Sequence, residues 1–339
     1  MTGLVGHAFR QASRLVPGAA VLPFSRPAAV FFHGVERALE DPQLQANHHQ
    51  RDTFIAIMRT IAARFDVLPL SALDDVLKDP AGHPRALFLM ADDGYANLLD
   101  AADILAELDL PWTLFVSTAH IGSSERNPMF RARAFLRYAL AGKYVLPHLG
   151  SIDFVSRARD REEARIMASL KMLSAAQARE TLDAMDAALA EAGLADLGTL
   201  FPSDAFLSWQ DLKTLSRRGV AIGAHAHWHW PMNGRQTHEY LIEQAVHSKS
   251  LIEREIGACT TFAYPFGNTD DVTRLAWHAV RDAGYDTAFT TLSGTLDAST
   301  NRYLLPRHGI GLHETRIAST VALLRAGNAR LQRWQNELR

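Results

Sequence analysis

The chain has 339 residues, 47% of them hydrophobic, enough to bury a large core without disulfides or a partner subunit. Its 35 Lys and Arg against 37 Asp and Glu give a net charge of -2, so no global field points to nucleic acid. The single cysteine, Cys259, excludes an intramolecular disulfide framework and a multi-cysteine zinc site, and it fits a reducing compartment.

In chain order, residues 1–27 are expected to form a first, helical segment. Leu4, Val5, Ala8, Phe9, Ala12, Leu15 and Val16 fall on one face of a helix, with Arg10 and Arg14 off it. Packing on the domain is the default expectation for this helix, and contact of residues 1–17 with a membrane surface is the alternative. No stretch reaches the roughly eighteen apolar residues of a membrane span, and no signal-peptide pattern opens the chain. The expected location is therefore the cytoplasm, with peripheral contact at the inner face of the membrane as the variant.

Short apolar, β-branched or aromatic runs then alternate with amphipathic helix-length segments, the pattern of a mainly parallel sheet with helices outside it. Strands are expected from residue 29 to 32, 86 to 90, 112 to 116, 220 to 224, 261 to 264 and 287 to 290. Residues 127–200 break the alternation with Ala-rich, charged sequence, read as a helical insertion without strands of comparable strength. In parallel α/β folds, loops at the carboxyl ends of strands build the site, so an insertion there can wall the cleft. Ser208, with Asp211 three residues on, predicts a capping box for a helix ended by Gly219, and Thr269 is the expected cap of a helix stopping at Gly284. Residues 313–339 are expected as a C-terminal helix packed on the domain.

Two clusters carry chemistry. Asp92 and Asp93 follow the apolar run Leu87-Phe88-Leu89-Met90-Ala91 and precede Gly94, and adjacent carboxylates at a strand end imply a cation or proton holding them together. A solvated Asp-Asp-Gly turn is the bland alternative. His225-Ala226-His227-Trp228-His229 follows another strand, and the four-residue spacing of His225 and His229 brings both rings to one side if the segment is a helical turn. Neutral imidazoles suit zinc, and one Asp with two His would complete a three-ligand site while leaving the second Asp free to take a proton from water. His227 is expected to project elsewhere.

Ala91-Asp92-Asp93-Gly94, His225 to His229, Phe262-Ala263-Tyr264-Pro265-Phe266-Gly267 and Leu305-Pro306-Arg307-His308 occur in the order seen in polysaccharide deacetylases, the nodulation-protein-B homology group, which the chain resembles from Ala28 to Ile310 outside the insertion, with the barrel expected over residues 28–312. The resemblance implies an α/β fold, a distorted (β/α) barrel with fewer strands than a triosephosphate-isomerase barrel. It also implies Asp92 as general base and Asp93, His225 and His229 as ligands of a divalent metal, zinc first, with cobalt, nickel or manganese as substitutes. By the same implication His308 is the general acid and the Phe266 N–H helps hold the oxyanion. His33, Tyr95, Trp228, Trp230 and Arg307 are weaker, substrate-facing expectations.

The implied reaction removes an acetyl or formyl group from the nitrogen of an amino sugar, in a glycan or a nucleotide-linked or lipid-linked precursor. Hydrolysis of another C–N bond, as in allantoinase-like relatives, and a catalytically silent glycan-binding protein are the alternatives. Three departures from the family pattern motivate the silent reading. Ala226 replaces the usual Ser or Thr, Ala263 stands where many members carry an Arg tethering the base, and no Asp and Trp motif for orienting the acid can be placed.

Overall fold

Every side chain from Ala28 to Phe32 and from Ala86 to Ala91 is buried, yet alternate residues serve different layers. Val30, Phe32, Leu87 and Leu89 pack outward against helices, whereas Phe31, Phe88 and Met90 join Phe115, Ala263, Phe289 and Leu305 in an inner cluster. A strand apolar on both faces belongs inside a parallel sheet covered by helices. The computed structural model describes residues 26–154, 159–194, 204–312 and 328–338. The expected N-terminal helix and residues 313–327 lie outside these.

The strands are β1 (Ala28–Phe32), β2 (Val35–Glu36), β3 (His49–Gln50), β4 (Asp66–Val67), β5 (Ala86–Ala91), β6 (Trp112–Val116), β7 (Lys143–Leu146), β8 (Gly150–Asp153), β9 (Ala221–Ala224), β10 (Thr261–Ala263), β11 (Thr287–Phe289) and β12 (His308–Gly309). The main sheet runs β11-β10-β9-β6-β5-β1-β12, with β4 also paired to β5, and all its pairings are parallel. Its two ends approach each other. Leu305 bridges to Phe289 of β11, and three residues later His308 pairs with Val30 of β1, so one short segment spans the seam. The result is the expected curled (β/α) barrel with seven strands along its path.

Helices α1 (Arg51–Arg64), α2 (Leu73–Lys78) and α3 (Leu98–Glu107) precede the insertion, and α7 (Trp209–Arg217), α8 (His238–Ile256) and α9 (Arg274–Asp282) follow it. α1 buries Phe54, Ile57, Met58 and Ile61, one face at helical spacing. The capping box at Ser208 forms as its sequence predicts, with Asp211 N–H donating to Ser208 Oγ at 3.1 Å and Ser208 N–H to Asp211 Oδ2 at 2.8 Å. Thr269 does not cap α9. Asn268 and Asp271 close a turn of their own, and Thr273 caps the helix by accepting from the Ala276 N–H at 3.3 Å.

Between the two sets, α4 (Pro128–Tyr138), α5 (Arg159–Leu170) and α6 (Ala175–Glu191) enclose a core of their own, including Phe130, Phe135, Ile166, Leu182 and Leu189, to which Trp230 of the barrel also belongs. No strand of comparable strength is expected here, and the two short strands present, β7 and β8, pair only with each other as an antiparallel hairpin. Aromatic packing holds it: the Tyr144 and Phe154 rings lie 5.3 and 5.5 Å from the ring of Phe135. No helix among the described residues is long and apolar enough to cross a membrane.

Candidate metal centre and active site

Asp92 is the first residue beyond β5, and its N–H still donates to Phe32 O of β1 at 3.1 Å. The chain then turns sharply, with φ of 75° at Asp93 and 90° at Gly94. A Cβ on Gly94 would lie 3.0 Å from both Ile121 and Val116, so backbone conformation and space together demand glycine. His225 follows β9 in the same way, its N–H bound to Val116 O at 2.8 Å. Residues 225–229 are not a helical turn, as the four-residue spacing suggested. Left-handed residues at Ala226 (φ 59°) and His229 (φ 51°) curl the loop and bring the two imidazoles to 4.9 Å between centroids. Such conformations cost about 1–3 kcal/mol each in non-glycine residues, and here they gather around one constellation.

Asp93 Oδ1 is 2.9 Å from His229 Nε2 and 3.4 Å from His225 Nε2. That oxygen is buried and makes no hydrogen bond of proper geometry. The His225 Nδ1–H donates to Ala263 O at 2.8 Å, which leaves Nε2 with a lone pair. One carboxylate oxygen and two imidazole nitrogens, all within 4.8 Å of one another and all buried, form the donor set of a three-ligand divalent cation site. Burial raises the Asp93 carboxyl, but His229 and His225 overcome it and hold the group well below the usual range. Burial lowers His225, and the opposing charges of Asp92 and Asp93 leave it above its ordinary value.

Asp92 Oδ2 lies 4.0 Å from His225 Nε2. Its carboxylate is gripped by both terminal nitrogens of Arg307, at 2.7 and 2.9 Å, while the Arg307 Nε–H donates to Thr290 O at 3.1 Å. Phe31 and Phe115 lie under the guanidinium, at 4.4 and 5.4 Å. Burial pushes Asp92 up, but Arg307 and His225 outweigh it, so the carboxyl stays below its ordinary value and ionised. Arg307 is 0% exposed, so the expectation that it faces substrate is corrected. Its grip on Asp92 is the contact that the family pattern gives to an Arg at the position of Ala263.

His308 sits on β12, its Nδ1 3.0 Å from Ser293 Oγ, a hydroxyl in place of the carboxylate of the family's acid-orienting motif. Phe266 follows β10 with φ of 60°, next to Gly267, whose Cβ would meet Thr291 N at 2.8 Å. The Thr291 hydroxyl donates to Phe266 O. The Phe266 ring lies 5.1 Å from His229. His33, next after β1, is lowered by burial against the pull of Asp93 and Asp92. His227 turns away to Thr118 Oγ1 at 2.8 Å and the ring of His247 at 4.4 Å.

Two aromatic residues read as substrate-facing are placed differently. Tyr95 is 3% exposed, stacked on Phe206 at 5.1 Å with the His48 ring against it at 4.7 Å, which leaves no open face for a sugar. Trp230 is 2% exposed, and its indole N–H donates to Leu173 O of the insertion at 3.3 Å. Trp228 is half-buried. Arg307 lay within a motif that gave no hint of its partner Asp92, and the buried His48 and His120 behind the site carried no signal in spacing or motif.

The polysaccharide deacetylase family matches residues 79–288, more than half of the chain. No curated protein sequence matches it. Among solved structures, the fold is similar to the Streptococcus pyogenes deacetylase PplD in complex with acetate (15% identity, 88% of this chain and 96% of that one, TM-score 0.54). It is similar also to IcaB from Ammonifex degensii (13% identity, 88% and 97%, TM-score 0.54) and to BC0361, a polysaccharide deacetylase from Bacillus cereus (14% identity, 87% and 69%, TM-score 0.53). The chain therefore belongs to the polysaccharide deacetylase family, hydrolases that remove N-acyl groups from the amino sugars of glycans.

Proposed function

We propose that Asp92 is the general base, Asp93, His225 and His229 are the ligands of a zinc ion, and the substrate is an N-acetylated or N-formylated amino sugar within a glycan or a nucleotide-linked or lipid-linked precursor. One observation carries this reading. A buried carboxylate that belongs to no ligand set, kept ionised by Arg307, lies 4.0 Å from one nitrogen of a convergent Asp-His-His set. When bound there, a divalent cation supplies Lewis acidity that makes water acidic near neutral pH and polarises the amide carbonyl.

The residues divide the remaining work. Asp92 accepts a proton from the attacking water as its oxygen bonds to the carbonyl carbon. The Phe266 N–H donates to the oxygen that becomes negative in the tetrahedral state. As the C–N bond breaks, His308 protonates the departing amine, giving a carboxylic acid and a free amino sugar. The departure at Ala263 does not favour a silent protein, because Arg307 holds the base.

Asp92→Asn should bind zinc as the wild type does and lose about 10²- to 10⁴-fold in acetate release from N-acetylglucosamine oligomers. Asp93→Asn should lose zinc in metal analysis. Unchanged acetate release by Asp92→Asn, or full zinc content in Asp93→Asn, would overturn the assignment.

A further inference from the structure

The insertion meets the loops of the site through the short connection between α5 and α6. Lys171, the first residue after α5, reaches the buried Asp271 with its ammonium at 2.9 and 3.2 Å from the two carboxylate oxygens. The same ammonium stands 4.3 Å over the ring of Phe266, which packs against the core of the insertion. The main chain of the connection is held as well. Lys171 O accepts from Asn233 Nδ2 at 3.0 Å, and Leu173 O accepts from Trp230 Nε1 and Gln236 Nε2 at 3.3 and 3.2 Å. Trp230, Asn233 and Gln236 belong to the stretch that follows His229, so one connection anchors that stretch and also fastens the loop after β10.

We propose that Lys171 is a positioning residue, which clamps the loop from Phe266 to Asp271 and so fixes the Phe266 N–H as the oxyanion donor. The inference rests on the role given to that N–H under the N-deacetylase reading and adds the insertion to the catalytic apparatus. A left-handed residue other than glycine, such as Phe266 with φ of 60°, persists only where its surroundings hold it. Thr291 holds one side through its hydroxyl bond to Phe266 O. On the other side Asp271 accepts from the Asn268 N–H at 3.2 Å and takes the ammonium, so Lys171 ties both the ring and the end of the loop to the insertion with one side chain. Its work is mechanical. Asp271 at 2.9 Å neutralises the ammonium, which leaves little net charge to act on the oxyanion itself. Precise placement is what such a donor requires, because a shift of about 1 Å in an aligned group costs up to about 10²-fold in rate.

Lys171→Met leaves Asp271 buried without its partner, so it is compared with the double change Lys171→Met and Asp271→Asn, which removes both charges and keeps an oxygen for the Asn268 N–H. Lys171→Arg restores the cation. Three measurements decide: kcat and KM for acetate release from the N-acetylglucosamine tetramer, zinc content, and the Phe266 amide resonance in protein carrying isotope-labelled phenylalanine, assigned by its absence from Phe266→Leu. Both Met variants should lose about tenfold or more in kcat, with KM within about twofold, zinc content unchanged and the Phe266 resonance shifted or broadened. Lys171→Arg should recover most of the kcat and the resonance.

Wild-type kcat with an unmoved Phe266 resonance in the folded double variant overturns the clamp. So does a loss confined to KM, or one that Lys171→Arg leaves in place. If the wild type releases no acetate from the tetramer, the reading of the reaction fails on this sugar, and the resonance alone judges Lys171. A resonance moved in both Met variants and restored by arginine supports the clamp, and an unmoved one overturns it.

Discussion

Asp92 and Arg307 lie 215 residues apart in sequence and form one buried, two-pronged ion pair. A charge pair in the interior repays its desolvation only with such geometry, and removal of one partner leaves an uncompensated charge. Arg307→Met should therefore destabilise the fold by about 3–5 kcal/mol. It should also let Asp92 hold its proton more tightly, which moves the acid limb of the pH profile of kcat/KM to higher pH. Arg307→Lys keeps the charge but loses the planar fork, so a milder shift in the same direction is expected from a better-folded protein. An acid limb unmoved in both variants would mean that Arg307 does not set the ionisation of Asp92, the proposed base.

At the scale of elements, the position of the proposed metal ligands depends on how closely the strands meet inside the barrel. Gly223 of β9 is two residues before His225, and a Cβ there would lie 2.7 Å from ring carbons of Phe115 on β6 and 2.7 Å from Thr261 Cγ2 on β10. Phe115 has little room to retreat, because Arg307 stands over its other surroundings at 5.4 Å. Gly223→Ala should cost about 1–3 kcal/mol by overpacking and should weaken zinc binding through displacement of His225. Thermal unfolding and zinc titration check both, and a wild-type midpoint with wild-type affinity would show that β9 can shift without consequence.

The same packing explains what could be read in advance. Strands buried on both faces, such as β1 and β5, appear as unbroken apolar runs, and Asp92 and Asp93 follow β5 directly, so sheet and candidate metal set were legible together. The hairpin was not, since β7 and β8 bury only Leu146 and Ile152 and lean on Phe135 from a distant helix. The left-handed turn at Ala226 was equally hidden, as alanine gives no hint of positive φ. Arg307 was visible as a residue, but its partner is chosen by a barrel that closes only when β12 meets β1.

For the whole molecule, buried histidines outside the candidate metal set contribute to its response to acid, His48 and His120 most strongly beside His33 and His227. His48 and His120 are 3% and 0% exposed, and burial lowers both from the ordinary 6.5 to about 3. Both rings are neutral in the folded state over the physiological range, while the unfolded chain takes up protons below 6.5. The stability this represents is complete above about pH 6.5 and is lost progressively as pH falls toward 3. One unit below 6.5 each ring costs about 1.4 kcal/mol, so the pair removes about 3 kcal/mol from the roughly 5–15 kcal/mol typical of a folded domain. Asp92 and Asp93 cannot cause this loss, since their lowered values act only below about 3.8. Tm should therefore fall steadily from pH 7 to pH 5, and His48→Gln or His120→Gln should flatten that slope. Activity should fall with it. His120 stacks on Phe206 at 4.8 Å and His48 packs on Tyr95 at 4.7 Å, and the Tyr95–Phe206 stack lies directly after the turn that carries Asp93. A charge forced onto either ring would loosen the support under Asp93, a proposed metal ligand, whereas a Tm constant from pH 7 to pH 5 would mean that neither ring is held neutral by the fold.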